Sequence, residues 1–325
     1  MKSFEYAAPK TLKEAAELLG DSWGKTELLA GGTDLVTSLK QLLTAPDRVV
    51  SLRNIAELKG IRTERGGVRI GAMTTLGDLA ANKTIKDNFP SLVTAAEGVG
   101  SAQILAMGTV GGDLCQRPRC WYFRNGLGLL ATQDGKSLVR EGDNRFHAIF
   151  GTDGNALFVS ASSLGPALIA LGATVTVTGP GGKKRELPAG NFFQTPKTDN
   201  DRETALKPNE ILTDVFIPTK GLKNATYEVR HRAGLDWPYV TASVAFAVKG
   251  GKVSDARVVL GHIAPTPWRA AGAAAALDGQ KVDASAAVKA GEAATQGAKP
   301  LSKNAYKVQL VRAAVRRAVL AAAGA

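Results

Sequence analysis

Leu28-Leu-Ala-Gly-Gly-Thr-Asp-Leu35 (LLAGGTDL, residues 28–35) runs from an apolar stretch through two glycines into a segment that opens on a threonine and an aspartate. This order reads as a buried strand, a tight turn and a helix. Thr109-Val-Gly-Gly-Asp-Leu114 repeats the grammar further along the chain. Glycines lack a β-carbon, so the backbone can turn tightly, approach a phosphate and aim amide N–H groups at its oxygens. The hydroxyls of Thr33 and Thr109 can add donors. A single such pair is weakly specific, because a strand-to-helix turn with an N-cap at Thr33 also explains it. Two of them, in a chain without a Walker-type Gly-Lys-Ser or a G-x-G-x-x-G in a βαβ frame, point to an extended diphosphate held between two loops. A dinucleotide such as FAD fits.

Around the first loop, Thr11–Leu19 reads as a helix, Thr26–Ala30 as a strand, Asp34–Leu43 as a helix and Arg48–Leu52 as a strand. A second unit begins near Asn54. In it Gly67–Ala72 and Ala156–Ala161 read as strands, and Leu76–Ala81, Leu92–Met107 and Leu164–Leu171 as helices. Thr174–Thr178 meets Lys184–Leu187 across Gly179-Pro-Gly-Gly182, a hairpin signal, and Ile211–Ile217 is a further strand. The polar stretch from Thr195 to Pro208 reads as a surface excursion. Beyond Pro218, Thr226–Arg232, Val240–Val248 and Val253–Ile263 form an antiparallel three-stranded meander, and the remainder is helical. Its last segment places Val308, Val311, Val315 and Val319 on one face, with Lys307, Arg312, Arg316 and Arg317 turned mostly elsewhere.

A chain of 325 residues, 44% apolar and 22% charged, can fill two or three cores. No apolar run reaches the roughly 18 residues of a membrane span. The opening MKSFEYAAPKTLKEAAELL has acidic residues where a signal peptide has its apolar core, so no export address is expected in the chain itself. Cytoplasm is the default expectation, and periplasm the alternative if a partner carries the signal. The net charge of +12 is spread along the chain without interleaved aromatics, which favours docking onto an acidic partner over nucleic-acid binding.

LLAGGTDLVTSLK, MGTVGGDL, QRPRCWYFRN, NRFHAIFG, PALIALGA, VLGHIAPTPWRA and PLSKNAYKVQLVRAAVRRA, in this order, resemble the FAD-binding subunit of the xanthine dehydrogenase family of molybdenum hydroxylases. The match covers essentially the whole chain. It is most similar to the medium subunits of bacterial aldehyde oxidoreductases and 4-hydroxybenzoyl-CoA reductases. The resemblance implies an α+β chain: a two-part FAD domain of the vanillyl-alcohol-oxidase (PCMH) type over 1–220, divided into 1–53 and 54–220. A C-terminal domain of the carbon-monoxide-dehydrogenase flavoprotein type, with its three-stranded sheet, would cover 221–325. It implies FAD held by Leu29, Ala30, Gly31, Gly32, Thr33, Asp34, Leu35, Thr109, Gly111, Gly112, Asp113, Ser163 and Leu164. The implied partners are a large molybdopterin-binding subunit and a small subunit with [2Fe-2S] clusters; the acceptor is left open among NAD, oxygen, quinone and protein. A non-catalytic assembly role is the alternative.

The same resemblance bears on the two cysteines. In aldehyde-oxidoreductase-like members the R-x-R-C-x-Y-F-R stretch supplies one thiolate of an extra [4Fe-4S] cluster. Cys120 stands at that position, whereas the insertion Gly126–Asp143 has no cysteine and Asn155 stands about where the last ligand falls. Clusters of this kind need about four thiolates, so Cys120 reads as the relic of a lost cluster and no metal is expected. Relatives often carry Gly-Gly-Asn at Gly112-Asp113 and Pro-Ser-Asp at Ala161-Ser162-Ser163. His147 is expected to cap or pack within its loop. Trp268 and Arg269 are expected to lock the third unit's sheet to its helix through packing and an ion pair. Asp236-Trp237-Pro238 stands either near a flavin ring or at a domain boundary.

Overall fold

The computed structural model describes residues 1–232 and 236–324. Its first unit holds β1 (Glu5–Ala7), α1 (Leu12–Glu17), β2 (Thr26–Leu29), α2 (Leu35–Lys40) and β3 (Arg48–Ser51). The three strands form a parallel sheet in the order β1-β3-β2. Both crossovers pass through helices, as parallel pairing requires. Its core, with Leu12, Ala15, Val50 and Leu52, also takes Met73 and Ile211 from the second unit.

The second unit contains β4 (Ile61–Glu64), β5 (Gly67–Gly71), α3 (Leu76–Ala81), α4 (Lys83–Asn88), α5 (Pro90–Glu97), α6 (Ala102–Met107), α7 (Val110–Cys115) and α8 (Trp121–Arg124). It continues with β6 (Thr132–Gln133), β7 (Lys136–Ser137), α9 (Leu138–Glu141), α10 (Leu164–Leu171), β8 (Thr174–Thr178), β9 (Lys184–Pro188), α11 (Ala189–Phe192) and β10 (Ile211–Pro218). Its main sheet is antiparallel, ordered β4-β5-β10-β8-β9. The helix read over Leu92–Met107 is two helices, because the chain turns at Gly98–Ser101 and Gly100 has φ +130°. Ala156–Ala161 joins no sheet: Ala156, Leu157 and Phe158 are buried, but the segment makes isolated backbone bonds, Ala148 N–H to Leu157 O and Ser160 N–H to Ala264 O. Burial rather than strand pairing made it apolar.

The third unit comprises β11 (Lys223–Val229), β12 (Val240–Lys249), β13 (Lys252–Gly261), β14 (Trp268–Arg269), α12 (Ala271–Leu277), α13 (Ala284–Ala293) and α14 (Tyr306–Ala323). Its antiparallel sheet has four strands, not three. The fourth is two residues long, pairing with Val259 and Leu260, too short to show a period of two in sequence. Trp268 packs on Phe150 with ring centroids 5.1 Å apart, and Arg269 makes no ion pair among the described residues, so these residues act as a sheet edge rather than an ionic lock. Lys307, expected on the outer face of α14, is instead buried, its Nζ donating to the carbonyls of Phe146, His147 and His262 at 2.9–3.1 Å. Ala245 and Val259 join the second unit's core, so the units pack against each other through α10.

Candidate functional site

The two glycine loops meet. A β-carbon on Gly31 would overlap the carbonyl oxygen of Met107, so Gly31 is glycine because the loop before α2 touches the end of α6. Gly32 has φ +78°, a left-handed conformation that glycine adopts without strain. The N–H groups of Gly31, Gly32, Thr33 and Asp34 meet no acceptor among the described residues. Polar backbone left open in this way calls for water or a ligand.

The second loop is built differently. Val110 N–H donates to Thr74 O (3.0 Å), Gly111 N–H to Ala72 O (2.8 Å) and Gly112 N–H to Thr109 Oγ1 (3.0 Å). The expectation that both loops aim amides at a phosphate therefore applies to the first loop alone; the amides opening α7 are spent on the strand end beside it. What remains to this loop is the hydroxyl proton of Thr109, whose oxygen already accepts from Gly112. At Gly112 a β-carbon would stand 2.9 Å from Thr109 Oγ1, the atom that Gly112 N–H bonds.

Asp113 points away from both loops. Its buried carboxylate accepts from Ser162 Oγ (2.6 Å), Ser163 N–H (3.1 Å), Leu164 N–H (2.9 Å) and Gln116 Nε2 (2.9 Å). It thereby caps α10, where a negative group is favoured. Burial raises its pKa, against the hydrogen bonds from Ser162, Leu164 and Ser163. The amides of Ser163 and Leu164 are thus taken inside the protein.

Asp34 anchors the QRPRCWYFR stretch. Its carboxylate accepts from Arg117 N–H (2.9 Å), Arg119 Nη1 (2.8 Å) and Arg124 Nη2 (2.8 Å). Arg119 also reaches Gln116 Oε1 (2.8 Å), and Arg117 Nε reaches Glu203 Oε1 (2.9 Å). Burial pushes the Glu203 pKa up, with the Arg117 charge opposing it.

Three cavities with shared walls form a trough along these loops, with volumes of about 220, 600 and 130 Å³. Thr109 lines all three. Ala30 and Gly31 stand between the first two, while Thr33, Asp34 and Gly112 stand between the first and third. Gly32, Leu35 and Gly111 line the first, and Asp113 and Ser163 the third. Leu29 and Leu164 line none of them; Leu164 is fully buried in the core. Several lining residues went unread in the sequence: Arg202, Glu203 and Thr204 come from the stretch read as a surface excursion, and Arg119 and Arg230 line the third cavity, beside Trp237, whose segment was read as standing near a flavin ring or at a domain boundary. The available signal was three arginines in eight residues with no acid beside them, which required an acid from elsewhere.

Cys120 and Cys115 are free thiols. Cys120 Sγ lies 3.1 Å from His147 Nε2, a contact that sequence spacing concealed. Around Cys120 pack Leu129, Leu130, Ala156, Phe158 and Phe123, so apolar side chains fill its surroundings. Among the described residues no group of three or more His, Cys, Asp or Glu side chains is placed to hold a metal.

Residues 2–220 match the family model described as the FAD binding domain in molybdopterin dehydrogenase. The chain belongs to this family. Residues 225–322 match the CO dehydrogenase flavoprotein C-terminal domain. The chain is 30% identical to the carbon monoxide dehydrogenase medium chain of Hydrogenophaga pseudoflava, over 98% of this chain and 96% of that one. It is also 30% identical to the aldehyde oxidoreductase FAD-binding subunit PaoB of Escherichia coli K12, over 96% of each. Among solved structures it resembles carbon monoxide dehydrogenase from H. pseudoflava (TM-score 0.77, 29% identity, 99% of this chain and 97% of that one). Quinoline 2-oxidoreductase from Pseudomonas putida 86 is similar as well (TM-score 0.78, 26% identity, 100% and 99%). The family fixes the cofactor as FAD and the class as oxidoreductase. The acceptor-free N–H groups and the trough fit a diphosphate cofactor.

Proposed function

We propose that this chain is the FAD-binding electron-transfer subunit of a heterotrimeric molybdopterin-dependent hydroxylase that oxidises aldehydes or xanthine-type substrates. A large molybdopterin subunit would act on the substrate, and a small subunit would deliver electrons through [2Fe-2S] clusters. Bound FAD supplies exchange between single-electron and paired-electron transfer. The chain's own residues bind and orient it. Gly31–Asp34 offer open N–H groups and Thr33 its hydroxyl, beside Ala30 and Leu35, and Thr109 offers its proton; Gly111 lets the second loop pack on Ala72 and Gly112 fits against Thr109. Leu29 ends the strand that leads into the first loop, Leu164 lies in the core, and Asp113 and Ser163 shape the wall.

The observation that carries this reading is the row of acceptor-free N–H groups from Gly31 to Asp34, in one trough with Thr109. Residues 1–220, in parts 1–53 and 54–220, form the FAD domain of the vanillyl-alcohol-oxidase type, and 221–325 the second domain. Cytoplasm stays the default placement, and periplasm the alternative if a partner carries an export signal. No helix among the described residues is long and apolar enough to cross a membrane. The test is the visible spectrum of the purified protein with an iron assay on the same sample. Oxidised-flavin bands without iron are expected. Colourless protein that takes up no added FAD would leave the assembly role, and stoichiometric iron would overturn the reading of Cys120 as a relic.

A further inference from the structure

We propose that Trp237 covers the flavin ring and that Arg119 is the residue that positions it, an assignment that rests on the FAD reading above. The third cavity lies between the two glycine loops and the segment Asp236–Pro238, and the indole of Trp237 is the one aromatic ring in its lining. That indole is 45% exposed, a large apolar surface facing solvent at the mouth of a polar cavity.

One side of the indole is backed by a fixed cation. The Arg119 guanidinium carbon lies 4.7 Å from the ring centroid. The guanidinium is held by Asp34 Oδ1 and Gln116 Oε1, each at 2.8 Å, and its buried Nε meets no acceptor among the described residues. Arg230 Nη1 donates to the carbonyl of Asp236 at 3.0 Å, fixing the backbone beside the tryptophan. The indole is thus backed by a guanidinium that Asp34 and Gln116 hold in place.

The first cavity, across the shared wall of Thr33, Asp34 and Gly112, has different chemistry. There Trp23 is covered by Arg202, whose guanidinium carbon is 4.6 Å from the ring, and the buried Glu27 accepts from Thr44 and Arg202. A carboxylate with spare acceptor capacity suits the amino and hydroxyl groups of an adenosine. A planar, largely apolar ring is better placed against the exposed indole of Trp237 than beside Glu27. The third cavity therefore receives the isoalloxazine, under Trp237, and the first receives the adenosine.

An electron-rich indole in contact with an excited flavin returns it to the ground state without emission. FAD-loaded full-length protein, freed of excess cofactor, is compared with Trp237→Leu, Arg119→Lys and Trp23→Leu, each normalised to the FAD released on denaturation. Bound FAD is expected to be several-fold brighter in Trp237→Leu, of intermediate brightness in Arg119→Lys, and unchanged in Trp23→Leu. Iodide should quench the bound flavin several-fold more strongly in Trp237→Leu. Brightening in Trp23→Leu alone would put the ring at the other end and overturn the assignment, as would brightening in neither variant. Trp237→Phe, which keeps the bulk and loses the electron-rich indole, gives the same reading if the leucine variant unfolds. Wild-type protein that binds no FAD would overturn the FAD reading itself, so the two failures are told apart.

Discussion

Asp34 shows how far a residue's role can lie from its sequence neighbourhood. Read in place, it is the acid of a helix's first turn; in space its carboxylate holds one amide and two guanidinium groups from residues 83 to 90 positions away. Its side chain is 18% exposed and those of Arg119 and Arg124 are 24% and 12%, so removing it leaves charges without a partner in a partly dry site. Asp34→Ala is expected to lower the unfolding free energy by about 3 kcal/mol, the scale of breaking a buried ion pair. Asp34→Asn should lose less, because an amide oxygen still accepts. Equal losses in urea unfolding would show that the negative charge alone carries the interaction and that an acceptor oxygen does not replace it. The cysteines make a second case. Burial pushes the Cys115 thiol up to about 12 and that of Cys120 upward as well. The thiolate is the reactive form, so alkylation by iodoacetamide at pH 8 should be far slower in native protein than in urea. Equal rates would contradict their burial.

Among elements, α7 and α10 share one carboxylate. Asp113 sits in the first helix and satisfies the opening amides of the second, so its carboxylate is occupied by donors within the protein although it borders the third cavity. Asp113→Asn would set an amide N–H₂ against donors that now point at an oxygen. A loss of about 2 kcal/mol is expected, the scale of leaving buried polar groups unpaired, read from the thermal midpoint; an unchanged midpoint would rule out the cap. The glycine loops divide their labour likewise. Gly31→Ala would drive a methyl group into the Met107 carbonyl, and a loss of at least about 2 kcal/mol is expected from such overpacking. Gly112→Ala meets only the Thr109 hydroxyl and should fold while binding FAD more weakly. Stability and FAD titrations of the two variants separate these outcomes, and similar stabilities would sink the distinction. The Gly-Gly signal was legible in sequence; that Gly31 serves packing was not, since that depends on α6.

At the scale of the whole molecule, the loop from Asn144 to Gly151 is bound to the segment leading into α14. Asn144 Nδ2 donates to Ser302 Oγ and its Oδ1 accepts from Lys303 N–H, while Asn304 Nδ2 donates to the carbonyls of His147 and Ala148. Lys307, His147 and His262 meet in this dry seam. Burial lowers His147 to about 4 and His262 to about 3, with the Lys307 charge adding to both. The unfolded chain therefore takes up protons first, and stability is expected to fall as pH drops from about 6.5 towards those values. Lys307, pushed down to about 7 by burial, acts in another window. Between about pH 7 and its ordinary value the unfolded chain holds a proton that the folded chain lacks, so this group makes stability rise with pH by up to about 1.4 kcal/mol per unit. The buried thiols act in the opposite direction above about pH 8.5, so the lysine is read from the difference: in urea unfolding from pH 7.5 to 10 the stability of wild type relative to Lys307→Met should rise, and a constant difference would refute it. The sequence by itself determined the strand and helix order, because apolar periodicity and glycine punctuation are local, and its ordered motifs determined the family. Only the tertiary structure decided which amides stay open, which acid meets which arginine, and that Lys307 lies inside. Those outcomes depend on groups far apart in the chain competing for the same partners, and local pattern carries no record of who wins.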